Sequence, residues 1–404
     1  MTSHQQSVID LPSPLPLAGR ILLGWFARLR RGRMEGQMPN GDAFVIQGSQ
    51  AGPTGVLRLH QPARMVARIA TRGSVGFAES YMAGEWSSPD TAHLLELMLV
   101  NEDAFQQRME PSWLHRLRLS LHHRGRRNTQ RGSRRNIAAH YDLGNEFYRH
   151  WLDETMTYSA AIFDHPGQPL AEAQRNKYDQ LLDTLGAQPG EHILEIGCGW
   201  GGFAMAAARR GIHVTGLTLS TEQLAWARRQ IAEAGLADQV DLRLEDYRDT
   251  RGRFDHAVSI EMLEAVGEDY WPAYFRMLHD RVRPGGRIGL HGITIAEDRF
   301  EDYRRRPDFI QRYIFPGGML PTPQRLADES AHGGLEVVES TGLGQHYATT
   351  LLQWDTRFVQ ALPQIRQLGF DDHFINMWRY YLAYCYAGFR TGSIDVKRLL
   401  LRRP

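Results

Sequence analysis

The sequence predicts an α/β fold built mainly on a parallel sheet, preceded by a smaller α+β domain. Seven strand-like runs alternate with helical patterns, which is typical of parallel strands joined by helices. The runs are residues 192–197, 213–218, 240–244, 254–260, 286–291, 335–340 and 393–400. A segment rich in aromatic residues, 348–390, has a helical pattern and precedes the last run.

The length and composition allow two domains. A chain of 404 residues with 42% apolar content can bury a large core. No apolar run approaches the roughly 18 residues that a membrane span requires, and the N-terminal residues lack the pattern of a signal peptide. The two cysteines, Cys198 and Cys385, give no disulfide framework. We therefore expect a cytoplasmic protein without a membrane-spanning helix.

The stretch from Leu194 to Gly202 is the strongest local signal. An apolar run passes into four glycines and then into a helix-forming segment, residues 203–210. Glycine suits a turn in which the backbone approaches a ligand closely and the helix packs against the strand. The stretch therefore predicts a nucleotide-binding turn, with the ligand beside Gly197, Cys198, Gly199, Gly201 and Gly202.

Two ligands fit such a turn, NAD and S-adenosylmethionine, and the neighbouring residues favour the second. The glycine spacing also satisfies the G-x-G-x-x-G pattern of NAD-binding folds. However, the Glu195 carboxylate would repel a pyrophosphate and attract an ammonium group. The next strand ends in Thr218-Leu219-Ser220, followed by Gln223, and lacks the acidic residue that binds an NAD ribose. A loop without a ligand is less favoured, because four glycines in six positions cost backbone entropy without a structural need for all of them.

The N-terminal part predicts a small α+β domain, residues 1–110, with a role in binding lipid or positioning the main domain. Residues 41–59 alternate like strands, and residues 62–99 have helical patterns around Gly73 and Gly84. Residues 20–33 form an apolar helix face flanked by arginines. Two interpretations of this face stay open, a helix lying on an anionic membrane and a helix docked on the protein's own core.

Residues 111–135 predict a basic linker. Eight arginines and no acidic residue lie between Arg116 and Arg135. Nucleic acid, phospholipid headgroups and solvent are the possible surroundings of such a segment. We favour peripheral contact with the inner face of the membrane, because a basic residue near anionic lipid contributes about 1 kcal/mol. No nucleic-acid module accompanies the linker, so no nucleic-acid partner is expected.

Several motifs together resemble the cyclopropane-fatty-acyl-phospholipid synthase family, which includes the mycolic acid cyclopropane synthases. The resemblance runs from about Arg135 to the C-terminus, and more loosely over Glu79–Met82. The motifs are His140-Tyr141-Asp142-Leu143-Gly144-Asn145, Thr157-Tyr158-Ser159, the glycine loop, Thr218 to Gln223, Glu264 with Val266-Gly267, Arg312 to Gly318, and Tyr380-Tyr381-Leu382 with Ala387 to Arg390.

The resemblance implies a Rossmann-like seven-stranded methyltransferase sheet in residues 136–404, with a helical insertion that covers the active site and forms an acyl-chain channel. It also implies S-adenosylmethionine as cofactor, unsaturated acyl chains of membrane phospholipid as substrate, and a homodimer. The expected reaction moves a methyl carbon to a cis double bond and gives a cyclopropane or methyl-branched chain. By the same resemblance, Tyr158 and Ser159 border the methionine end of the cofactor, the glycine loop borders its amino-acid part, and Thr218 to Gln223 border its ribose. Asp246 and Tyr247 suit adenine, although Asp246 is also a candidate turn cap.

The resemblance further implies bicarbonate as the base that removes a proton during ring closure. In the family this ion contacts a cysteine backbone and glutamate, histidine and tyrosine side chains. The matching positions are Ala160, Glu264, His291 and Tyr381. Ala160 replaces the cysteine, and Ala265 replaces a histidine that usually follows the glutamate. Both departures put bicarbonate binding and ring closure in question more than methyl transfer, so a methyl-branched or methylene product stays open.

Methylation of an alkene leaves a cation, which aromatic faces stabilise without reacting with it. Candidates with this role, or with a simple packing role, are Tyr313, Phe315, Trp354, Phe358, Trp378, Tyr381 and Tyr384. Three classes of function stay open: methylation of lipid acyl chains, N-methylation of a small amine, and non-catalytic lipid binding. No metal site is predicted.

Overall fold

The computed structural model describes residues 8–10, 15–109 and 143–404. Within these residues the chain forms two compact units. The first contains residues 8–10, 15–109, 306–309 and 362–391, and the second contains residues 143–305, 310–361 and 392–404. The predicted domains, 1–110 and 136–404, were each continuous in sequence, whereas the two units are not. The predicted linker 111–135 and the residues His140-Tyr141-Asp142 lie outside the described residues.

Helices and strands before residue 110 are numbered in chain order. They are β1 (Val8–Asp10), α1 (Leu17–Phe26), β2 (Arg31–Gln37), β3 (Ala43–Gln47), β4 (Gln50–Leu59), α2 (Pro62–Met82), β5 (Trp86–Ser87), α3 (Thr91–Val100) and α4 (Glu102–Met109).

The numbering continues from residue 143. The elements are α5 (Asn145–Arg149), α6 (Leu170–Leu185), β6 (His192–Ile196), α7 (Gly202–Arg209), β7 (His213–Thr218), α8 (Thr221–Glu233), β8 (Val240–Leu244), β9 (His256–Ile260), α9 (Trp271–Arg281), β10 (Arg287–Ile295), α10 (Phe300–Arg305), α11 (Pro323–His332), β11 (Glu336–Gly342), α12 (Gly344–Gln360), α13 (Leu362–Gln367), α14 (Asp372–Thr391) and β12 (Ile394–Arg402).

The first unit combines a five-stranded sheet with helices, as the predicted α+β domain required. Its strand order is β1-β3-β2-β4-β5, and only the β2–β4 pair is parallel. Helices α2, α3 and α14 pack together. Helix α2 is kinked at Gly73, which has a φ of 60° and thus a backbone that favours glycine. The late helix α14 therefore completes a core that begins in the N-terminal sequence.

The apolar face predicted in residues 20–33 is buried in the first unit. Leu22 and Phe26 are fully buried, and Leu29 is buried as well. Helix α1 ends at Phe26, earlier than the pattern suggested, and the following arginines open strand β2 at Arg31. The structure thus favours the interpretation in which this helix docks on the protein's own core.

The second unit contains the predicted seven-stranded sheet. Its order is β11-β12-β10-β9-β6-β7-β8. The strands from β10 to β8 are parallel, and β12 runs antiparallel between β10 and β11. All seven predicted strands are confirmed. Because successive residues of a strand point to opposite faces, Ile193 and Leu194 of β6 enter separate apolar clusters.

The carboxyl ends of the parallel strands form the edge where ligands bind in such sheets. Strand β9 ends at Ile260, which pairs with His291 of β10. Strand β10 continues to Ile295, so the expectation that His291 ends its strand is wrong. His291 nevertheless lies at the ligand-binding edge, because its neighbour β9 stops beside it. Among the described helices, none has the length and apolar content needed to cross a bilayer.

The central strand β10 offers a test of the fold. Leu290 is fully buried, whereas Val338 on β11 is 51% exposed. We expect Leu290→Ala to lower the free energy of unfolding by about 2 to 5 kcal/mol, because it removes apolar contacts and leaves a cavity. Val338→Ala should change it by less than about 0.5 kcal/mol. Urea unfolding followed by fluorescence measures both. Equal losses would contradict the assignment of Leu290 to the core.

Candidate active site

The glycine loop between β6 and α7 is shaped by packing at three of its four glycines. A Cβ atom on Gly202 would lie 2.8 Å from the Tyr178 hydroxyl, and one on Gly197 would lie 2.9 Å from Met262 Cγ. A Cβ on Gly201 would lie 3.2 Å from Ala227. Gly199 differs, since its Cβ would meet no atom within 4 Å, and its φ is +50°. The sequence argument that packing does not require all four glycines therefore applies to Gly199.

The first two N–H groups of the loop are used inside the sheet. The amides of Gly197 and Cys198 both donate to the Leu217 carbonyl, at 2.9 and 2.8 Å. Cys198 is buried, and burial raises the pKa of its thiol well above the usual value. These two amides therefore hold the start of the loop to the neighbouring strand β7.

Glu195, the last residue but one of β6, fits a cationic ligand. Its side chain is 4% exposed, and Oε2 is buried without a hydrogen-bond partner. Burial raises the pKa of this carboxyl to about 8, against the opposing influence of Lys177. A buried acceptor of this kind gains its missing interaction from an ammonium group, which also favours the ionised carboxylate. The residue thus suits the amino-acid end of S-adenosylmethionine.

The predicted ribose segment forms the cap of helix α8. Ser220 Oγ accepts from the Gln223 amide at 3.2 Å, and Thr218 Oγ1 accepts from the Ser220 amide at 3.1 Å. Thr218 also donates to Gln223 Oε1 at 3.2 Å. Leu219 lies between them and is partly exposed. These bonds fix the turn at the carboxyl end of β7, and the ribose contacts remain a prediction.

The predicted adenine residues have structural partners. Asp246 is buried and accepts from the Arg248 amide at 3.1 Å and from its guanidinium at 2.7 and 2.8 Å. The observed contacts of Asp246 therefore agree with the alternative prediction that it caps a turn. Tyr247 packs edge-on against Tyr274 at 5.2 Å, and burial raises the pKa of its hydroxyl to about 12. Adenine contacts of this pair stay a prediction.

Residues 157–161 form a buried loop in front of the sheet. Tyr158 joins an aromatic cluster, with its ring 5.2 Å from Trp354 and 5.6 Å from Trp151. Ser159 and Ala160 are buried, and the Ala161 amide donates to Thr350 Oγ1 at 3.1 Å. The loop is thereby held against helix α12.

Glu261 is a site residue that the sequence patterns did not single out. Its Oε1 accepts a hydrogen bond from the Ala160 amide at 2.7 Å. Its φ is 52°, a left-handed backbone that costs a non-glycine residue about 1 to 2 kcal/mol. Strain of this kind concentrates at functional sites. The residue keeps some surface, but its carboxyl group is shielded from solvent, which raises its pKa to about 6.

Glu264 and His291 lie beside this residue, as the sequence predicted for the carboxyl edge. Glu264 Oε1 accepts from the Ile293 amide, and Oε2 is buried without a partner. Burial raises the pKa of Glu264 to about 8, so its carboxyl group is protonated at neutral pH. His291 is fully buried, and burial lowers its pKa to about 3. Neither ring nitrogen has a hydrogen-bond partner. Both side chains are therefore neutral, polar and available to a ligand.

The fourth predicted catalytic residue, Tyr381, belongs to the first unit. It lies on α14, and its ring packs edge-on against Trp378 at 5.3 Å. Tyr384 shares that unit, whereas Trp354 and Phe358 lie on α12 in the second unit. The structure thus brings Ala160, Glu264 and His291 together within the second unit, and the contribution of Tyr381 stays a prediction.

Lys177 is the second residue that the sequence patterns did not single out. It is fully buried on α6, and its Nζ donates to Ser159 Oγ at 2.5 Å. Burial lowers its pKa to about 8, although the carboxylates of Glu261, Asp153 and Glu195 act in the opposite direction. One feature of the sequence could have identified Glu261, its position directly after the apolar run of β9. Lys177 could have been identified by its residue type, since the sequence has only two lysines among 47 basic residues.

The sheet order, the glycine loop after β6 and the buried Glu195 define an S-adenosylmethionine-dependent methyltransferase. The family model for mycolic acid cyclopropane synthetase matches residues 128–399, which is more than half of the chain. The protein belongs to this family. This confirms the predicted family, enzyme class, fold class and cofactor.

The names of similar proteins refer to two kinds of activity, methyl transfer and cyclopropane formation. Tuberculostearic acid methyltransferase UfaA1 of Mycobacterium tuberculosis is 44% identical over 355 residues, covering 86% of this chain and 83% of the relative. Cyclopropane-fatty-acyl-phospholipid synthase of Escherichia coli is 33% identical over 341 residues, covering 83% and 85%. Methylation of lipid acyl chains is therefore the shared activity.

Solved structures agree with the fold. Mycolic acid cyclopropane synthase CmaA1, complexed with SAH and CTAB, has a TM-score of 0.63 and 32% identity, covering 66% of this chain and 97% of that one. Coclaurine N-methyltransferase has the same TM-score but only 17% identity, covering 81% of this chain and 99% of that one. The second likeness shows the fold alone.

Gly199 provides a test of cofactor binding. We expect Gly199→Ala to weaken binding of S-adenosylmethionine at least about tenfold, because the added methyl group points into the space that no protein atom fills. Gly235→Ala is the matched control, since Gly235 has a φ of +70° and an equally open surrounding. Both variants place an alanine at a positive φ, so their backbone strain is similar. Only Gly199→Ala should lose affinity for S-adenosylmethionine in calorimetry. Equal affinities would place the cofactor elsewhere.

Proposed function

We propose that the protein methylates a cis double bond in an unsaturated acyl chain of membrane phospholipid, giving a methyl-branched chain, and that Glu261 accepts the departing proton. The observation that carries this proposal is the hydrogen bond between the Ala160 amide and the Glu261 carboxylate. This bond supports the base role, because the Ala160 backbone is the contact that the resemblance predicts for a bicarbonate ion.

An isolated alkene is a weak nucleophile, so the site must align it and exclude water. When bound, S-adenosylmethionine supplies a methyl group on a positively charged sulfur, which keeps the electrons of the broken C–S bond. The alkene electrons form the new C–C bond, and the neighbouring chain carbon becomes a cation. The rings of Tyr158 and Trp354 offer aromatic faces for positive charge in this region.

The cation must lose one proton to become a neutral product. Loss from the new methyl group closes a cyclopropane ring, whereas loss from a chain carbon leaves a methyl-branched alkene. Neither route needs a reductant, so the proposed branched product retains a double bond. Glu261 suits the base role, because a carboxylate with a pKa of about 6 is ionised at neutral pH and is still basic enough to accept a proton.

Bicarbonate fits this site poorly. The Ala160 amide already donates to Glu261, and a second anion would lie next to that carboxylate. Glu264 Oε2 and the His291 nitrogens are free to bind a polar group, but they provide only part of the contacts that the resemblance predicts. Glu264 and His291 are both neutral and form a polar wall of the site. Of the two glutamates, Glu261 and Glu264, only Glu261 is then ionised at neutral pH.

Two considerations support a branched product over a ring. The first is the fixed protein base together with Ala160 and Ala265, which depart from the pattern of ring-forming members. The second is that the 44% identical relative is named a methyltransferase, while the synthase from Escherichia coli is 33% identical. Phospholipid as the form of the substrate, contact with the membrane surface and a homodimer belong to the same proposal.

Isotope labelling distinguishes the products. Cells that express the protein are fed methionine with a triply deuterated methyl group, and their phospholipids are fragmented in a mass spectrometer. We expect a branch that retains three deuterium atoms. Two deuterium atoms in a ring would indicate cyclopropanation, and two in a methylene branch would indicate a 1,2-hydride shift in the chain followed by loss of a deuteron from the methyl group. Absence of label from acyl chains would contradict the proposed function.

Glu261 makes the reaction dependent on pH. We expect the rate of the wild-type protein to fall about tenfold per pH unit below pH 6, because protonation removes the base. Glu261→Gln should lower the rate by about 100-fold or more at pH 7. Release of S-adenosylhomocysteine and formation of labelled lipid measure both effects.

Glu264→Gln is the matched control for Glu261→Gln. Because Glu264 is protonated at neutral pH, glutamine reproduces its neutral state and still accepts the hydrogen bond from the Ile293 amide. We expect less than about a tenfold loss of rate for this variant. A loss as large as that of Glu261→Gln would transfer the base role to Glu264.

A further inference from the structure

Lys177, the buried lysine of helix α6, is not used in the reaction steps proposed above. The sequence contains 45 arginines and two lysines, Lys177 and Lys397. A compact ammonium group therefore stands at the fully buried position 177 in a chain that uses arginine almost everywhere else. Unlike an arginine, a lysine shifts its pKa readily when buried. A buried charge is costly unless it has partners, so the surroundings of Lys177 indicate what it does.

Two residues of α6 hold the loop that carries the Ala160 amide. Lys177 Nζ donates to Ser159 Oγ at 2.5 Å, and Gln174 Nε2 donates to the Ser159 carbonyl at 2.9 Å. Gln174 and Lys177 are three residues apart and thus share one helix face, and both are fully buried. They differ in charge. Gln174 can only position the loop, whereas Lys177 also brings a positive charge close to Glu261.

Glu261 and Glu264 differ in that charge and in two further respects, the hydrogen bond of Tyr347 to Glu261 and the raising influence of the Glu261 charge on the pKa of Glu264. Each carboxylate accepts one backbone N–H, and burial raises the pKa of both. For Glu261, the largest opposing influence is Lys177, followed by the Ala160 amide and the Tyr347 hydroxyl, and its pKa stays at about 6. Burial raises the pKa of Glu264 to about 8, opposed by the Ile293 amide, and the negative charge of Glu261 acts in the same direction as burial.

We propose that Lys177 is a positioning residue that keeps the Glu261 carboxylate ionised, and thereby basic, in the water-excluded site. This inference rests on the proposed base role of Glu261. Lys177 does not touch the reacting atoms. It acts through its charge on Glu261 and through its hydrogen bond to Ser159, the residue before the amide that binds the Glu261 carboxylate.

Several other titratable groups lie close to Lys177 and Glu261. Lys177 faces Glu261, Asp153 and Glu195, and its ammonium lies 4.8 Å from the centre of the Tyr178 ring. Glu261 faces Lys177, the Tyr347 hydroxyl and Glu264, which is protonated at neutral pH. His291 also senses the positive charges of Lys177 and Arg398, which help to keep its imidazole neutral.

The scarcity of lysine makes a direct measurement possible. Protein labelled with ¹³C at the lysine Cε atoms gives two signals, and Lys397→Arg assigns them. We expect the Lys177 signal to titrate below the usual lysine pKa of about 10.4. Glu261→Gln should lower the pKa of Lys177 further, because it removes the negative charge that favours the ammonium form. A Lys177 pKa that does not respond to Glu261→Gln would overturn the proposal.

The pH profile of turnover tests the consequence for the base. We expect Lys177→Met to move the acid limb of the profile upward by about 1 pH unit or more, since Glu261 loses its main counter-charge. Lys177→Arg retains a positive charge and should leave the limb closer to its wild-type position. Gln174→Met is the matched control, because it removes an uncharged contact to the same Ser159. It should leave the limb in place, even if the rate falls.

These outcomes separate the inference from the proposed function. A folded Lys177→Met variant with an unmoved acid limb would overturn the inference while leaving methyl transfer intact. Equal shifts in Lys177→Met and Gln174→Met would reduce Lys177 to a structural contact. If the wild-type protein methylates no lipid, the proposed function fails, while the lysine titration still decides whether Lys177 and Glu261 are coupled. If Lys177→Met does not fold, the titration of the wild type and of Glu261→Gln decides.

Discussion

The hydrogen bond from the Ala160 amide to the Glu261 carboxylate is the interaction on which the site depends. It joins the loop in front of the sheet to the residue that directly follows strand β9. A carboxylate withdrawn from water needs hydrogen-bond donors and a positive charge nearby. The left-handed backbone of Glu261 and the buried ammonium of Lys177 each reduce the stability of the folded protein, and both occur at this site.

Three glutamates at the same sheet edge differ because their surroundings differ. Glu195 has a buried oxygen without a partner and suits a cationic ligand. Glu264 is held neutral by burial, and Glu261 is kept ionised by donors and by Lys177. The pKa of Glu261, about 6, is separated from those of Glu195 and Glu264, both about 8, and such a separation is typical of neighbouring acids with different roles. The proposed cofactor contact, neutral wall and base therefore all lie within one structural unit.

A base that is part of the protein constrains the product in a way that a small bound anion does not. Its position relative to the acyl chain is set by the backbone of β9 and by the loop around Ala160. The choice between a ring and a branch then depends on which C–H bond faces that carboxylate. Relatives with both kinds of name are similar to this chain over more than four fifths of its length, so product specificity is expected to lie in differences at such positions.

The sequence by itself determined the sheet, the glycine loop, the cofactor and the family, because periodicity and contiguous motifs are local properties that survive without coordinates. It also located Glu264 and His291 at the ligand edge. Only the tertiary structure decided that Glu261 bonds the Ala160 amide, 101 positions away, and that Lys177 is buried beside it. It also decided that residues 362–391 complete the N-terminal core. These facts depend on which distant segments meet, and thus on burial and charge pairing that no local pattern encodes.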